Sequence, residues 1–279
     1  MEPKKTQLNL SAKFIDSDAI PEWSRAAIND IVNLNYMGGY PDSIFRPTRP
    51  ITRAESLSVL DRVIGKAYYE SGIYEEKKVT GNLTITNSGV TLKDTIITGD
   101  LYLTEGIGTG DVSLDNVQVL GLTYVNGGGT NSILVKDSKL GAVRIKAPQQ
   151  VRLVAQGLTT ISSVDAKTGA KLEERDLTGT GFKEVFVNTL PNSKMELIGN
   201  FDQVNVAAPQ IKLELSQGSI QKIILAKESH GTNLILAPKT KVDTFVAHST
   251  AKVIGEGTIH TADINVNGVE LAQEPTKLN

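Results

Sequence analysis

The feature that most constrains this chain is a repeat. From residue 79 onward, a short strand of the type apolar-x-apolar recurs: Val112-x-Leu114, Ile133-x-Val135, Val151-x-Leu153, Met195-x-Leu197, Ile211-x-Leu213, Leu234-x-Leu236 and Ala251-x-Val253. Small polar residues follow each one, and then a second strand, such as Leu101-x-Leu103, Phe182-x-x-Val185-x-Val187 or Phe201-x-x-Val204-x-Val206. The turn positions Gly99, Gly121, Gly141, Gly157, Gly181, Asn200, Gly218, Thr240 and Gly257 recur at a mean spacing near 20 residues. A unit of that length cannot bury its inward side chains alone, whereas stacked units share one continuous apolar column. The pattern therefore predicts a mainly β chain: a right-handed parallel β-helix of about nine coils. A β-sandwich would need longer alternating strands and hairpin turns, which this sequence lacks.

Composition divides the chain near residue 78. Residues 1–78 hold 8 of the 14 aromatic residues but 4 of the 25 glycines. The expected layout is a small α-helical domain over 1–78 (core 14–65), ending in a Gly- and charge-rich joint at 71–78. The solenoid follows over 79–271, and 272–279 reads as a linker to a missing module. The start, Met1-Glu2-Pro3-Lys4-Lys5, reads as the edge of a longer chain. With 29 basic and 31 acidic residues the formal net charge is −2. This argues against a nucleic-acid partner, because tracking phosphates needs a basic footprint. No apolar run approaches the ~18 residues of a membrane span, so membrane insertion is not expected. The absence of cysteine excludes disulfide scaffolds, thiolate metal sites and cysteine nucleophiles.

The first 78 residues read as a helical hairpin. Pro21 suits a first helical turn, and Trp23, Ala27, Ile31 and Leu34 fall on one helix face. Asn35 can end that helix in a left-handed conformation, and Gly38-Gly39-Tyr40-Pro41-Asp42-Ser43 is turn chemistry. Thr52-Arg53-Ala54-Glu55 fits a capping box at the start of a second helix, whose expected buried stripe is Leu57, Leu60 and Ile64. Capping accounts for Thr52 and Glu55. Arg53 has no capping duty: it either stands solvated or, beside the free N–H groups of a helix start, grips a carboxylate in bidentate fashion.

Phe14-x-Asp16, Trp23, Ala27-Ile28, Gly39-Tyr40-Pro41-Asp42, Phe45-Arg46-Pro47 and Ile51-Thr52-Arg53-Ala54-Glu55 together resemble a surface-layer homology (SLH) repeat over residues 14–65. The family consensus has Gly where this chain has Asn35 and Ser43. The resemblance implies noncovalent anchoring to a secondary cell-wall polymer, often pyruvylated, and an extracellular place in the cell wall or S-layer. It also implies neighbouring SLH repeats as partners, since such repeats usually come in threes and this chain holds one. Arg53, Asp16 and Trp23 are the candidate polymer-binding residues. Asp16 also fits a cap at the start of the hairpin, and Trp23 fits core packing.

Three features of the solenoid carry candidate chemistry. Residues two places into the second strand form a predicted outward ladder: Tyr102, Tyr124, Arg144, Thr160, Glu184, Gln203, Lys222, Thr244 and Thr261. Tyr102, Tyr124 and Arg144 are the candidate carbohydrate-binding residues, since exposed rings beside polar groups can stack on sugars; packing between the rings is the plainer reading. Asp94, Asp115 and Asp137 recur at coil spacing. Stacked carboxylates repel unless something compensates, so they either hold calcium or bond backbone N–H groups at a corner. The loop Gly127-Gly128-Gly129-Thr130-Asn131-Ser132 is a candidate for backbone cleavage between Asn131 and Ser132, where a side-chain amide or hydroxyl can attack a neighbouring carbonyl if strain aligns them. Asn87-Ser88 and Asn192-Ser193 share that dipeptide.

Few residues point to catalysis. His230, His248 and His260 lack metal-ligand spacing, and there is neither a nucleophile elbow nor a P-loop. A solenoid behind an SLH repeat is similar, in architecture and repeat style, to carbohydrate-binding module family 54 of wall-anchored glycoside hydrolases. That resemblance implies polysaccharides as partners and a catalytic module elsewhere in the full-length protein. The expected function is a non-catalytic polysaccharide-binding module with no required cofactor. The alternatives are a polysaccharide lyase or glycoside hydrolase, with Arg144 and Arg152 near the Asp ladder, and a structural spacer.

Overall fold

The computed structural model describes residues 13–130 and 133–279. It divides into two compact units, the first ending at Gly65 and the second running from Lys66 to Asn279.

In the first unit, a short 3-10 turn Ser17–Ala19 precedes helices α1 (Glu22–Asn33) and α2 (Arg53–Ile64). Asn35 stands in the left-handed region behind α1, as expected, and so do Gly39 and Ser43 (φ 58°, 72° and 60°). The capping box at α2 forms in both directions: Glu55 N–H donates to Thr52 Oγ1 at 3.2 Å, and Thr52 N–H donates to Glu55 Oε2 at 2.7 Å. The core is small: Phe14, Ile20 and Val32 are buried, with Ile28, Ile31 and Phe45 packed against them. The buried side of α1 thus passes through Ser24 and Val32 and not through Trp23, which is 87% exposed. No residue of α2 is buried, and the expected buried stripe faces outward, with Leu57 at 66% and Leu60 at 53% exposure. Periodicity identifies an apolar face; it does not say what covers it.

The second unit is a parallel β-solenoid of about eleven turns. Each turn contributes to three faces. The first carries Leu83–Ile85, Leu101–Leu103 and Thr123–Val125, the second Val90–Lys93, Val112–Asp115 and Ile133–Lys136, and the third Lys78–Val79, Ile96–Ile97 and Gln118–Val119. Each strand pairs in parallel with its counterpart one coil away, for example Leu101 with Leu83 and with Thr123. From Lys139–Ile145 onward the third and first faces fuse into single bent strands, and Lys194–Val206 and Lys212–Leu225 run around all three.

This register makes residues some twenty places apart vertical neighbours. Phe201, Ile220, Val242 and Ile259 form one inward column, and Phe182 stacks on Phe201 with centroids 5.6 Å apart. Each such fully buried side chain stabilises the fold by roughly 1.5–3 kcal/mol relative to exposure. The corners solve the backbone problem with hydroxyls. Buried Ser138 accepts Val117 N–H at 2.8 Å and donates to Lys136 C=O at 2.6 Å, and buried Thr159 accepts Ser138 N–H at 3.3 Å. The left-handed corner positions are filled by Asp94, Asn116 and Asp137 (φ 49°, 55° and 49°), residue types that tolerate this conformation.

Two expected boundaries move. Segment 66–78, read as the end of the helical domain and a joint, belongs to the first solenoid coil: Lys66–Tyr68 pairs with Leu83–Ile85 and Gly72–Glu75 with Val90–Lys93. Its inward residues are Tyr68 and Tyr74, stacked at 3.8 Å. Segment 272–279, read as a linker, returns to the solenoid, with Lys277 and Leu278 pairing with Thr261 and Ala262. The larger number of coils includes these additions.

Candidate functional site

The first unit holds a cavity of about 550 Å³ lined by Met37, Tyr40, Arg46, Arg49, Glu55 and Arg62, among others. The turn at 38–43 and the Arg46-Pro47/Arg49-Pro50 segment form one side, and α2 supplies Glu55 and Arg62. Asp16 builds this wall from behind: its carboxylate accepts the backbone N–H groups of Phe45 and Arg46, both at 2.7 Å. Burial opposes its ionisation, but those two donors, its own backbone N–H and the Arg46 charge together hold its pKa below the ordinary value. Tyr40 is the centre of the wall. The guanidinium carbons of Arg46 and Arg49 lie 4.3 and 5.1 Å from its ring centroid, a cation–π arrangement, and its hydroxyl donates to Glu55 Oε1 at 2.6 Å. That hydroxyl, the Thr52 groups and Arg49 bring the Glu55 pKa down to about 2. Glu55 is therefore ionised at neutral pH and pairs with Arg49 at 3.6 Å; Arg46 pairs with Asp42.

Of the three candidate residues in this unit, Asp16 supports the cavity wall, while Arg53 and Trp23 are not part of its lining. Arg53 is the first residue of α2 and is exposed. Sequence reading missed Arg46, Arg49 and Arg62; the doubled Arg-Pro pair in Arg46-Pro47-Thr48-Arg49-Pro50 was the available signal.

On the first solenoid face, Tyr102, Tyr124 and Arg144 are consecutive rungs. The two rings are 4.8 Å apart and 2° from parallel. They cover each other's inner faces, so the outward contact they offer comes chiefly from edges and hydroxyls. The next rung after Arg144 is Asp165, not Thr160. Thr160 pairs instead with Lys139 on the third face, and the predicted ladder from Glu184 to Thr261 is a separate column one step aside. Arg144 Nε donates to Asp165 at 3.2 Å, and Lys167 and Asn188 hold the same carboxylate at 3.0 and 2.9 Å.

The three aspartates do not form one column. Asp115 aligns with Lys93 and Lys136, whereas Asp94 and Asp137 share a corner with Asn116 between them. Asn116 Nδ2 donates to Asp94 at 2.6 Å, and Asp137 accepts Leu158 N–H at 2.8 Å. Lys136 lies 3.8 Å from Asp115 and 3.7 Å from Asp137. Among the described residues, no group of three or more His, Cys, Asp or Glu side chains is arranged to hold a metal ion. Asn131 and Ser132 lie outside the described residues. Arg152, near the Asp ladder in the lyase reading, is engaged by Glu173 at 2.8 Å.

The S-layer homology domain family matches residues 13–55, a span containing Asp16, Tyr40, Arg46, Arg49 and the capping box. Residues 13–55 are an S-layer homology domain. The domain implies anchoring to the bacterial cell wall, and it gives the chain a location at the cell wall or S-layer surface. A search of curated proteins returned no match. Among solved structures, the cell-surface-expressed, multi-modular chitinase ChiW from Paenibacillus sp. str. FPU-7 is similar, with a TM-score of 0.50 and 33% identity. The match covers 52% of this chain and 13% of the chitinase chain, so about half of this chain is similar to a small part of that enzyme. The first unit leaves Trp23, Leu57 and Leu60 more than half exposed.

Proposed function

We propose that this chain is a non-catalytic, glycan-binding part of a bacterial cell-surface protein. In this reading the S-layer homology domain grips an acidic secondary wall polymer, and the solenoid holds a polysaccharide along its first face through Tyr102, Tyr124 and Arg144. The observation that carries the reading is the arginine-lined cavity. Three guanidinium groups face one ionised carboxylate around about 550 Å³, a space within the range of ligand pockets. Each guanidinium has five N–H donors in a planar fork, so pairing with Glu55 or Asp42 leaves donors for a polymer carboxylate or phosphate. Arg53 is proposed as a further contact for the same polymer. The exposed apolar side of α2 suits packing against neighbouring S-layer homology repeats, and the likeness to a multi-modular chitinase supports a catalytic module elsewhere in the protein. Binding at two places raises effective concentration at the wall even where each contact is weak.

The test is retention of the full chain on isolated walls and on a polysaccharide panel. Arg46→Gln with Arg62→Gln should weaken wall binding, and Tyr102→Ala with Tyr124→Ala should weaken retention on the panel. Unchanged retention of both double variants would refute these assignments. New reducing ends or unsaturated products released from the panel would refute the non-catalytic reading.

A further inference from the structure

The corner between the second and third solenoid faces carries a groove of about 340 Å³, lined by residues of four successive coils. One wall is the corner column Asp94, Asn116 and Asp137; the other is the third-face column Ile96, Gln118 and Lys139, with Lys77 one coil earlier. Thr95 and Val117, both buried, form its floor. Coils stack at the strand spacing of about 4.8 Å, so four rungs extend over roughly 14 Å. That is the length of a short oligosaccharide.

We infer that this groove is a binding site for a neutral, hydroxyl-rich saccharide chain lying along the solenoid axis. The claim rests on the reading that the solenoid holds polysaccharide, and it names a second location and the ligand class. Charge decides the class. The lining carries two carboxylates, Asp94 and Asp137, and two ammonium groups, Lys77 and Lys139. It is balanced, so it favours neither a cation nor a polyanion. Asn116 Nδ2 donates to Asp94 and so joins the two first rungs of the wall. A sugar hydroxyl donates one hydrogen bond and accepts others. Two rungs of this groove set an acceptor opposite a donor, the Asn116 side-chain carbonyl opposite the Gln118 amide and Asp137 opposite Lys139, while Asp94 stands opposite Ile96. Ile96, 41% exposed, supplies apolar surface for the C–H side of a pyranose ring, so that apolar lining is combined with a few convergent polar groups as in small-molecule sites.

The experiment is calorimetric titration of the full chain with cellohexaose, xylohexaose and chitohexaose, and with polygalacturonate as the acidic comparison. It is run on the wild type and on Asn116→Gly with Gln118→Ala. Glycine keeps the left-handed corner while removing the amide, so folding is preserved; an unchanged circular dichroism melt checks this. The expected result is binding of at least one neutral hexamer, weakened about tenfold or more in the double variant, with no competition from polygalacturonate. Equal binding by wild type and variant overturns the groove. So does a wild type that binds no neutral hexamer while still being retained on polysaccharide through Tyr102 and Tyr124, and in that case the broader reading survives. Loss of every glycan interaction in the wild type removes both.

Discussion

Tyr102 lies flat on Tyr124, with ring centroids 4.8 Å apart and planes 2° from parallel. That separation is the strand spacing of a sheet, so the pair reports the coil register directly: two residues 22 positions apart are vertical neighbours. Stacked aromatic pairs contribute about 0.5–1.5 kcal/mol beyond area burial. A double-mutant cycle of Tyr102→Ala and Tyr124→Ala in urea unfolding should give a coupling in that range. Strict additivity would contradict the stack.

Ser138 is predicted to matter more than its size suggests. Ser138→Ala leaves the Val117 N–H, now bonded at 2.8 Å, without its acceptor, at a cost of about 1–3 kcal/mol. Ser138→Thr should retain most of the stability, because Thr95 and Thr159 already occupy equivalent buried corner positions. Equal loss in both variants would show that volume, not the hydroxyl, decides the site.

Glu174 makes the solenoid sensitive to pH. Its carboxylate accepts Phe182 N–H at 3.1 Å and Asn200 N–H at 2.7 Å, but burial outweighs those donors, and nearby Asp202 adds to it, so its pKa lies above the ordinary 4.5. A pKa raised on folding means that the group's contribution is full below 4.5 and is lost as pH rises through the folded value. Unfolding free energy should therefore fall over that window, and Glu174→Gln should flatten the fall. Parallel pH profiles for wild type and variant would contradict this.

Glu55 has the opposite sign. Its pKa is lowered from 4.5 to about 2, first by the Tyr40 hydroxyl. The stability it lends the S-layer homology domain is present above 4.5 and is lost as pH falls toward 2. Tyr40→Phe removes the largest cause, so the Glu55 midpoint, followed by carboxyl NMR, should move up toward the ordinary value. An unmoved midpoint would show that the backbone cap alone sets it.

The column of valines, leucines and isoleucines was legible because inward positions must be apolar at every coil. The corners were legible only in part: of the predicted turn positions, Gly157, Gly181 and Gly218 take up left-handed backbone, but so do Gln210 and Lys239, residue types that carry no turn signal. The first coil was hidden: its inward residues are Tyr68 and Tyr74 among charged neighbours, which break the aliphatic signature. The ladder slipped at Thr160 because Ile161 belongs to the third face, beside Leu140 and Phe182, and an apolar-x-x-apolar step crosses a corner without leaving a mark in the sequence. In the S-layer homology domain the capping box could be read locally. The arginine cavity could not, because Arg46, Arg49 and Arg62 meet only through the turn that Asp16 holds in place.

The most direct test of wall anchoring is equilibrium binding of the full chain to isolated walls, before and after chemical removal of the secondary polymer, compared with the Arg46→Gln/Arg62→Gln variant. Anchoring through the arginine cavity predicts salt-sensitive binding that falls sharply on polymer removal and in the variant. Undiminished binding of the variant to intact walls, or of the wild type to stripped walls, would contradict it.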